Sequence, residues 1–374
     1  MTGPVPIPAP RLLVVRLPNP AGDVVQATPA LRALRRALPD TRIIWSGRPP
    51  ALTLLDGLHD RDETRAIDGD LRHGLGKDVR LGRAWRLTGA DAVLLFPNSI
   101  GAAVAAWSSR IPVRVGYARH GRRALLSHPI PPLRDGRRVR PEPMRTYYLR
   151  LASLFGGTDD GQGTRLAITT EGEVRARQRL AEAHVGDRFF TVSPGAAFGP
   201  SKVYPPALLA EADHCVREAT GLVPVVLCGP GEEAIAADLA ARVGPPVVPT
   251  HASVARWPEA KAILARSALL LTTDAGPRHV AAALGVPVVC IMGPTDPRWS
   301  LGDRATTTVV RNEAIPCLGC HLKSCPIGHG CMLELPPEAV VEACLDRLGA
   351  GVPGAGEATA TPDAPAAGIL PTAP

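Results

Sequence analysis

The chain has no apolar run approaching the roughly 18 residues that a membrane-spanning helix needs, and its N-terminus lacks a charged segment followed by an apolar stretch. These absences predict a soluble, cytoplasmic protein. No GxGxxG turn follows the first apolar strand, which argues against a dehydrogenase, and no GxxxxGK[ST] phosphate loop replaces it. The arginines have few aromatics interleaved with them and no nucleic-acid-binding motif is recognisable, so no nucleic acid partner is expected.

The 374 residues, 45% of them hydrophobic, are enough for two domains, each with its own core. The net charge of +7 and the pI near 9.2 fit an acidic partner, although a modest excess of this kind also serves solubility. Much of that charge lies between Arg110 and Arg150, where Arg114, Arg119, Arg122, Arg123, Arg134, Arg137, Arg138 and Arg140 have few acidic neighbours. Arginine forks match phosphate and carboxylate geometry, and an acidic glycolipid or a membrane surface fits this stretch; solvated loop surface is the alternative.

Residues 1–10 are Pro-rich and 349–374 form a Gly/Pro/Ala/Thr tail, and both are expected to be disordered. Between them strands and helices alternate. Leu12 to Leu17, Arg42 to Trp45 and Ala92 to Phe96 read as strands and Thr28 to Leu38 as a helix, with Pro29 tolerated only in a first turn or at a kink. The alternation restarts beyond Ile168. Helices are expected at Glu171 to Ala183, Pro206 to Ala219, Lys261 to Ala265 and Arg278 to Leu284, and strands at Phe189 to Val192, Val223 to Leu227, Ala268 to Thr272 and Pro287 to Met292. The fold class is therefore α/β, in two halves. Loops after parallel strands bind ligands, and three such loops, Pro18 to Asp23, Pro194 to Lys202 and Thr273 to His279, are placed to face one cleft.

In the first loop Gly22 permits close backbone approach, and Asp23 is either a helix cap or a general base. In the second, Lys202 offsets diphosphate charge or is a surface lysine. The third places Asp274, Gly276 and His279 near a helix N-terminus, which attracts anions; capping by Asp274 and simple packing of His279 are the alternatives. Cys215, Cys228, Cys290 and Cys344 lie in apolar patterns and read as small core residues. Cys317, Cys320, Cys325 and Cys331, with His321 and His329 nearby, read as a structural zinc site, a redox or disulfide cluster, or unligated thiols.

Gly22-Asp23-Val24-Val25 followed by Thr28-Pro29-Ala30-Leu31-Arg32-Ala33-Leu34, together with Asp274-Ala275-Gly276-Pro277-Arg278-His279-Val280-Ala281, resembles the two signatures of glycosyltransferase family 9, the ADP-heptose lipopolysaccharide heptosyltransferases. The resemblance runs from about Arg11 to Leu348. Phe96-Pro97-Asn98-Ser99, Gly116-Tyr117, the loop from Ser193 to Lys202 and Gly293-Pro294-Thr295-Asp296-Pro297-Arg298-Trp299 are most similar to its heptosyltransferase II branch. The cysteine cluster resembles one in a subset of these proteins. Thr273, Ala275, Arg278 and Val203-Tyr204 depart from the usual Asn, Ser, apolar residue and Arg-Trp.

The resemblance implies a GT-B fold of two Rossmann-like domains, residues 11–168 binding the acceptor and 169–348 the nucleotide-sugar. The reaction implied is inverting transfer from ADP-L-glycero-D-manno-heptose to a heptosyl-Kdo-lipid A type acceptor of the lipopolysaccharide inner core, at the cytoplasmic face of the inner membrane. Catalysis would need no cofactor. Asp23 would be the base, and Lys202, Asp274, Gly276, His279, Ala197, Phe198 and Glu232 would hold the donor. Asn98, Ser99, Arg119 and Arg122 would face the acceptor. A GT-B enzyme with another nucleotide-sugar and a non-catalytic module for acidic glycans or nucleic acid are the rival readings.

Overall fold

A computed structural model of the chain describes residues 6–67, 74–244, 248–249, 252–300, 302 and 305–349. The first half runs β1 (Leu12–Arg16), α1 (Ala21–Gln26), α2 (Thr28–Ala37), β2 (Arg42–Gly47), α3 (Pro49–Leu54), β3 (Glu63–Ala66), α4 (Leu75–Arg86), β4 (Ala92–Leu95), α5 (Ile100–Ser108), β5 (Val113–Tyr117) and β6 (His128–Ile130). A small hairpin of β7 (Arg134–Asp135) and β8 (Arg138–Val139) leads to α6 (Met144–Ala152). The second half runs α7 (Thr170–Glu182), β9 (Phe189–Ser193), α8 (Pro206–Thr220), β10 (Val223–Val226), α9 (Glu233–Val243), β11 (Val248–Pro249), α10 (Trp257–Arg266), β12 (Leu270–Thr273), α11 (Gly276–Ala283), β13 (Val288–Ile291) and β14 (Thr307–Val310). It ends with α12 (Gly330–Leu333) and α13 (Pro337–Leu348).

Two six-stranded sheets result, ordered β3-β2-β1-β4-β5-β6 and β11-β10-β9-β12-β13-β14, with every pairing inside them parallel. Continuous apolar runs such as Leu12-Leu13-Val14-Val15 form the central strands because helices cover both faces. The strand order reverses at β1/β4 in one sheet and at β9/β12 in the other, the positions at which parallel sheets of this kind receive ligands. The loops after these strands are the three singled out from sequence, joined by Pro97–Ser99. Pro29 lies at the second position of α2, in the first turn, where its missing N–H costs nothing.

The halves meet through the first turns of α1 and α11. A Cβ added at Gly22 would lie 2.6 Å from Cδ2 of His279, and one added at Gly276 would lie 3.1 Å from Cβ of Ala21, so both glycines are needed for this approach. A single buried cluster includes Val24, Val25 and Leu54 from the first half and Ile263, Val280 and Ala281 from the second. Buried Lys261 of α10 crosses the junction to donate to the carbonyls of Leu54 (2.9 Å) and Asp56 (3.0 Å).

Two expectations need correction. Residues 6–10 are packed rather than disordered: Ile7 is buried and its N–H donates to Leu154 O (2.8 Å), while Thr41 Oγ1 donates to Pro10 O (2.6 Å). Cys215 is exposed on α8, whereas Cys228, Cys290 and Cys344 are buried as expected. The rest of the expected N-terminal and C-terminal disorder, residues 1–5 and 350–374, lies outside the described residues.

Candidate active site

Asp23 sits in the first turn of α1, whose N-cap is Pro20, so the capping reading fails. Its carboxyl makes no hydrogen bond among the described residues. Burial raises its pKa to about 6, and the positive charge of Lys202, reaching it from the other half, offsets part of that rise. A carboxylate held near neutrality without a protein partner is suited to accept a proton.

Opposite it lies a closed set of charges. Lys202 Nζ donates to Asp274 Oδ2 (2.6 Å) and to the Asp274 carbonyl (3.0 Å), and stands 4.8 Å from the centre of the Phe198 ring. Arg278 Nη2 lies 3.1 Å from Asp274 Oδ1 and 2.9 Å from His279 Nε2. Asp274 caps nothing either: the N-cap of α11 is Ala275, with no side-chain cap. Burial by itself would raise the Asp274 pKa, but Arg278 and Lys202 pull it well below the usual carboxylate range.

Burial, reinforced by Arg278, holds His279 neutral, its pKa well below 6.5 despite Asp274. Arg278 is always a donor, so Nε2 of the neutral ring accepts and its proton resides on Nδ1. Nδ1 lies 3.0 Å from the Gln26 amide across the junction. That proton calls for the amide oxygen as its acceptor, which a half-turn of the Gln26 amide supplies. Gln26 escaped the sequence reading because nothing local marks it.

The loop before Lys202 is tied down at several points. Thr273 Oγ1 donates to Gly195 O (2.9 Å) and Thr272 Oγ1 to Ser193 O (3.1 Å), joining the ends of β12 and β9. Glu232 accepts from Gly229 N–H (2.9 Å) and closes over Gly195, where an added Cβ would lie 2.3 Å from its carboxyl carbon. Ala197 and Phe198 are exposed beside Lys202.

The arginine-rich stretch is divided: Arg123, Arg134, Arg137, Arg138 and Arg140 are exposed, as solvated loop surface would be, Arg114 and Arg119 are half-buried, and Arg122 is turned inward. Arg122 is buried and donates to Tyr117 O (2.9 Å), Pro97 O (2.6 Å), Ser99 O (3.2 Å) and Asn98 Oδ1 (3.3 Å), so it braces the loop after β4. Ser99 caps α5 through Ala102 N–H (3.2 Å), and Tyr147 donates to Asn98 Oδ1 (3.2 Å). Arg119 places its positive charge beside the Tyr147 hydroxyl, Arg114 donates to the carbonyls of Leu125 and Ile111, and Arg150 pairs with Glu142. Sequence reasoning counted these charges without seeing the carbonyls that consume them.

Among the described residues no group of three or more His, Cys, Asp or Glu side chains is placed to hold a metal ion, and all eight cysteines are free thiols. The clustered cysteines do occupy one loop, since Cys317, Cys320 and Cys325 are near enough to raise the pKa of Cys331 beyond what burial does. That loop clamps the residue next to Lys202: Ser201 N–H donates to Lys323 O (3.1 Å), Ser201 Oγ to Leu322 O (2.5 Å), and His329 Nε2 lies 2.7 Å from Ser201 O. Cys325 Sγ in turn accepts from His329 N–H (3.2 Å).

The family model of glycosyltransferase family 9 (heptosyltransferase) matches residues 79–329. Lipooligosaccharide heptosyltransferase 2 of Haemophilus influenzae is 29% identical over 303 residues, covering 76% of this chain and 84% of its own. The structure of E. coli ADP-heptose lps heptosyltransferase II matches with a TM-score of 0.72 at 22% identity, over 90% of this chain and 98% of that one. An E. coli heptosyltransferase solved with ADP matches with a TM-score of 0.63 at 18% identity, over 90% and 99%. At such identities the structural likeness is one of fold, which it shares along nearly the whole described length. With a family model spanning two thirds of its residues, this chain belongs to glycosyltransferase family 9 and is a glycosyltransferase.

Proposed function

We propose that the chain is an inverting heptosyltransferase of GT-B architecture that moves heptose from ADP-heptose to a lipid-linked, acidic inner-core acceptor of lipopolysaccharide. The observation that carries this reading is the meeting of an unpartnered, near-neutral carboxyl, Asp23, with the Lys202–Asp274 pair across the junction of the two halves. Relatives named for heptose transfer, one of them solved with ADP, support the donor.

In this mechanism Asp23 takes the proton of the acceptor hydroxyl as its oxygen bonds to the anomeric carbon. The bond from that carbon to the diphosphate oxygen breaks on the opposite side, and its electron pair leaves with ADP. Lys202 and the exposed amides at the start of α11, near Gly276, stabilise the growing diphosphate charge. Contact between the two halves excludes water and limits hydrolysis. A lipid-linked acceptor brings the protein to the cytoplasmic face of the inner membrane as a peripheral visitor; no described helix is long and apolar enough to cross it.

The test is turnover of ADP-heptose with heptosyl-Kdo-lipid A, followed by ADP release and by product mass. Transfer from UDP- or GDP-sugars with none from ADP-heptose would overturn the donor assignment.

A further inference from the structure

Arg16 is the last residue of β1, paired in register with Ser46 of β2 and Leu95 of β4 at the point where the strand order reverses. It is 5% exposed. One arm of its fork donates to Asn19 Oδ1 (2.8 Å) and the other to the adjacent Leu17 carbonyl. No carboxylate among the described residues pairs with it. Burial and the neighbouring charge of Arg48 lower its pKa to about 10. Arg48, directly after β2, likewise lacks an ion pair among the described residues, and its buried Nε has no hydrogen-bond partner.

Other buried arginines have a carboxylate or several carbonyls in contact. Arg32 pairs with Asp160 (2.6 Å), Arg278 with Asp274 (3.1 Å), and Arg122 is satisfied by three carbonyls and an amide. Two adjacent, partly desolvated cations with no carboxylate in contact among the described residues are costly. Their place supplies a reason. They lie at the carboxyl ends of β1 and β2, where parallel sheets receive ligands, and the loop from Leu17 to Pro20 leads from them into the helix that carries Asp23.

We infer that Arg16 and Arg48 form the subsite for the anionic group of the sugar acceptor, a carboxylate or a phosphate monoester, orienting the acceptor hydroxyl toward Asp23. Guanidinium forks match both groups. The inference rests on the transferase reading above and names the feature of the acceptor that the first half recognises.

The test uses full-length protein and the variants Arg48→Gln and Arg48→Lys, with three acceptors: unmodified, carboxyl-methylated and dephosphorylated. Arg48→Gln is expected to raise the acceptor KM at least tenfold and leave the donor KM unchanged, with Arg48→Lys in between. Wild type is expected to lose a similar factor on one modified acceptor, which identifies the anion, and Arg48→Gln is expected to ignore that modification. An acceptor KM within twofold of wild type in Arg48→Gln, or equal sensitivity of both proteins to each modification, would overturn the subsite. Calorimetric titration of acceptor into ADP-saturated protein reads the same contrast without turnover. Failure of transfer by wild type therefore sinks the transferase reading and leaves the subsite to be decided by binding.

Discussion

The two sheets treat charge at their ligand-facing edges differently. Beyond the second sheet Lys202, Asp274, Arg278 and His279 contact one another within 3.1 Å, two cations sharing one carboxylate, so each charge has a partner and one net positive charge remains for a ligand. Beyond the first, Asp23, Arg16 and Arg48 have no charged partner in contact among the described residues. An internally paired cluster is preorganised and rigid, suited to gripping a donor in one geometry. An uncompensated edge holds groups whose partners arrive with the other substrate. Under the proposed mechanism this difference assigns donor binding to one half and proton transfer to the other.

The contrast is most severely tested by removing one charge from each side. Asp274→Ala strands Lys202 and Arg278 without their carboxylate and is expected to cost about 3–5 kcal/mol of stability along with donor binding, measured by chemical denaturation and by titration with ADP. Arg48→Gln, by comparison, should leave the denaturation midpoint unchanged or higher. Equal losses on the two sides would erase the distinction.

Asp23→Asn is expected to lower kcat by about 10²–10⁴-fold while the melting temperature holds or rises, since an unpaired buried carboxylate is removed. Because the Asp23 pKa is raised to about 6 and the base must be ionised, wild-type kcat/KM should fall about tenfold per pH unit below that value and level off above it. Residual activity of the variant should lack this limb; if it keeps the limb, another group is the base.

At the seam, Gly22→Ala places a Cβ 2.6 Å from the His279 ring. Overpacking of this kind costs about 1–3 kcal/mol, and a raised donor KM should accompany the loss, because His279 cannot retreat without disturbing Arg278. An unchanged melting temperature would mean that the halves part more readily than the contacts of α1 and α11 suggest.

The smallest effect is expected far from the junction, at Asp213 of α8. It is fully buried and neither carboxylate oxygen has a partner; burial raises its pKa to about 7 against the pull of Arg217. The native state then binds more protons than the unfolded chain between about pH 4 and 7, so stability falls as pH rises across that window. Asp213→Asn should raise stability at pH 8 by on the order of 1 kcal/mol and by less at pH 5. An equal gain at the two pH values would show that protonation of Asp213 is not the cause.

Central elements were legible because burial on both faces writes itself as unbroken apolar runs: β1, β2, β4 and β9 lie where those runs fall. Edge elements were not. β3 is Glu-Thr-Arg-Ala and mostly exposed, a strand only because β2 offers it an open edge. In the site, the positions of Asp23, Lys202 and Asp274 after strands could be read from local order. The choice between cap and functional group for the two aspartates could not, since it depends on partners and on the N-cap backbone. Arg278 stood out only as a departure from a pattern, and its bonds to Asp274 and His279 give it a place in the structure.

The sequence by itself determined the alternation of strands and helices, the repetition of that alternation in two halves, and the glycine-bearing loops that follow the central strands, because these follow from local patterning and turn chemistry. Tertiary structure alone decided which charges meet. Gln26 and His279 are 253 residues apart and touch through α1 and α11; Asp23 feels Lys202 across the same seam, and Arg122 vanishes into carbonyls while Arg16 meets no carboxylate among the described residues. A side chain's chemistry is local, but its ionisation and its freedom to meet a substrate are set by the neighbours that folding brings to it.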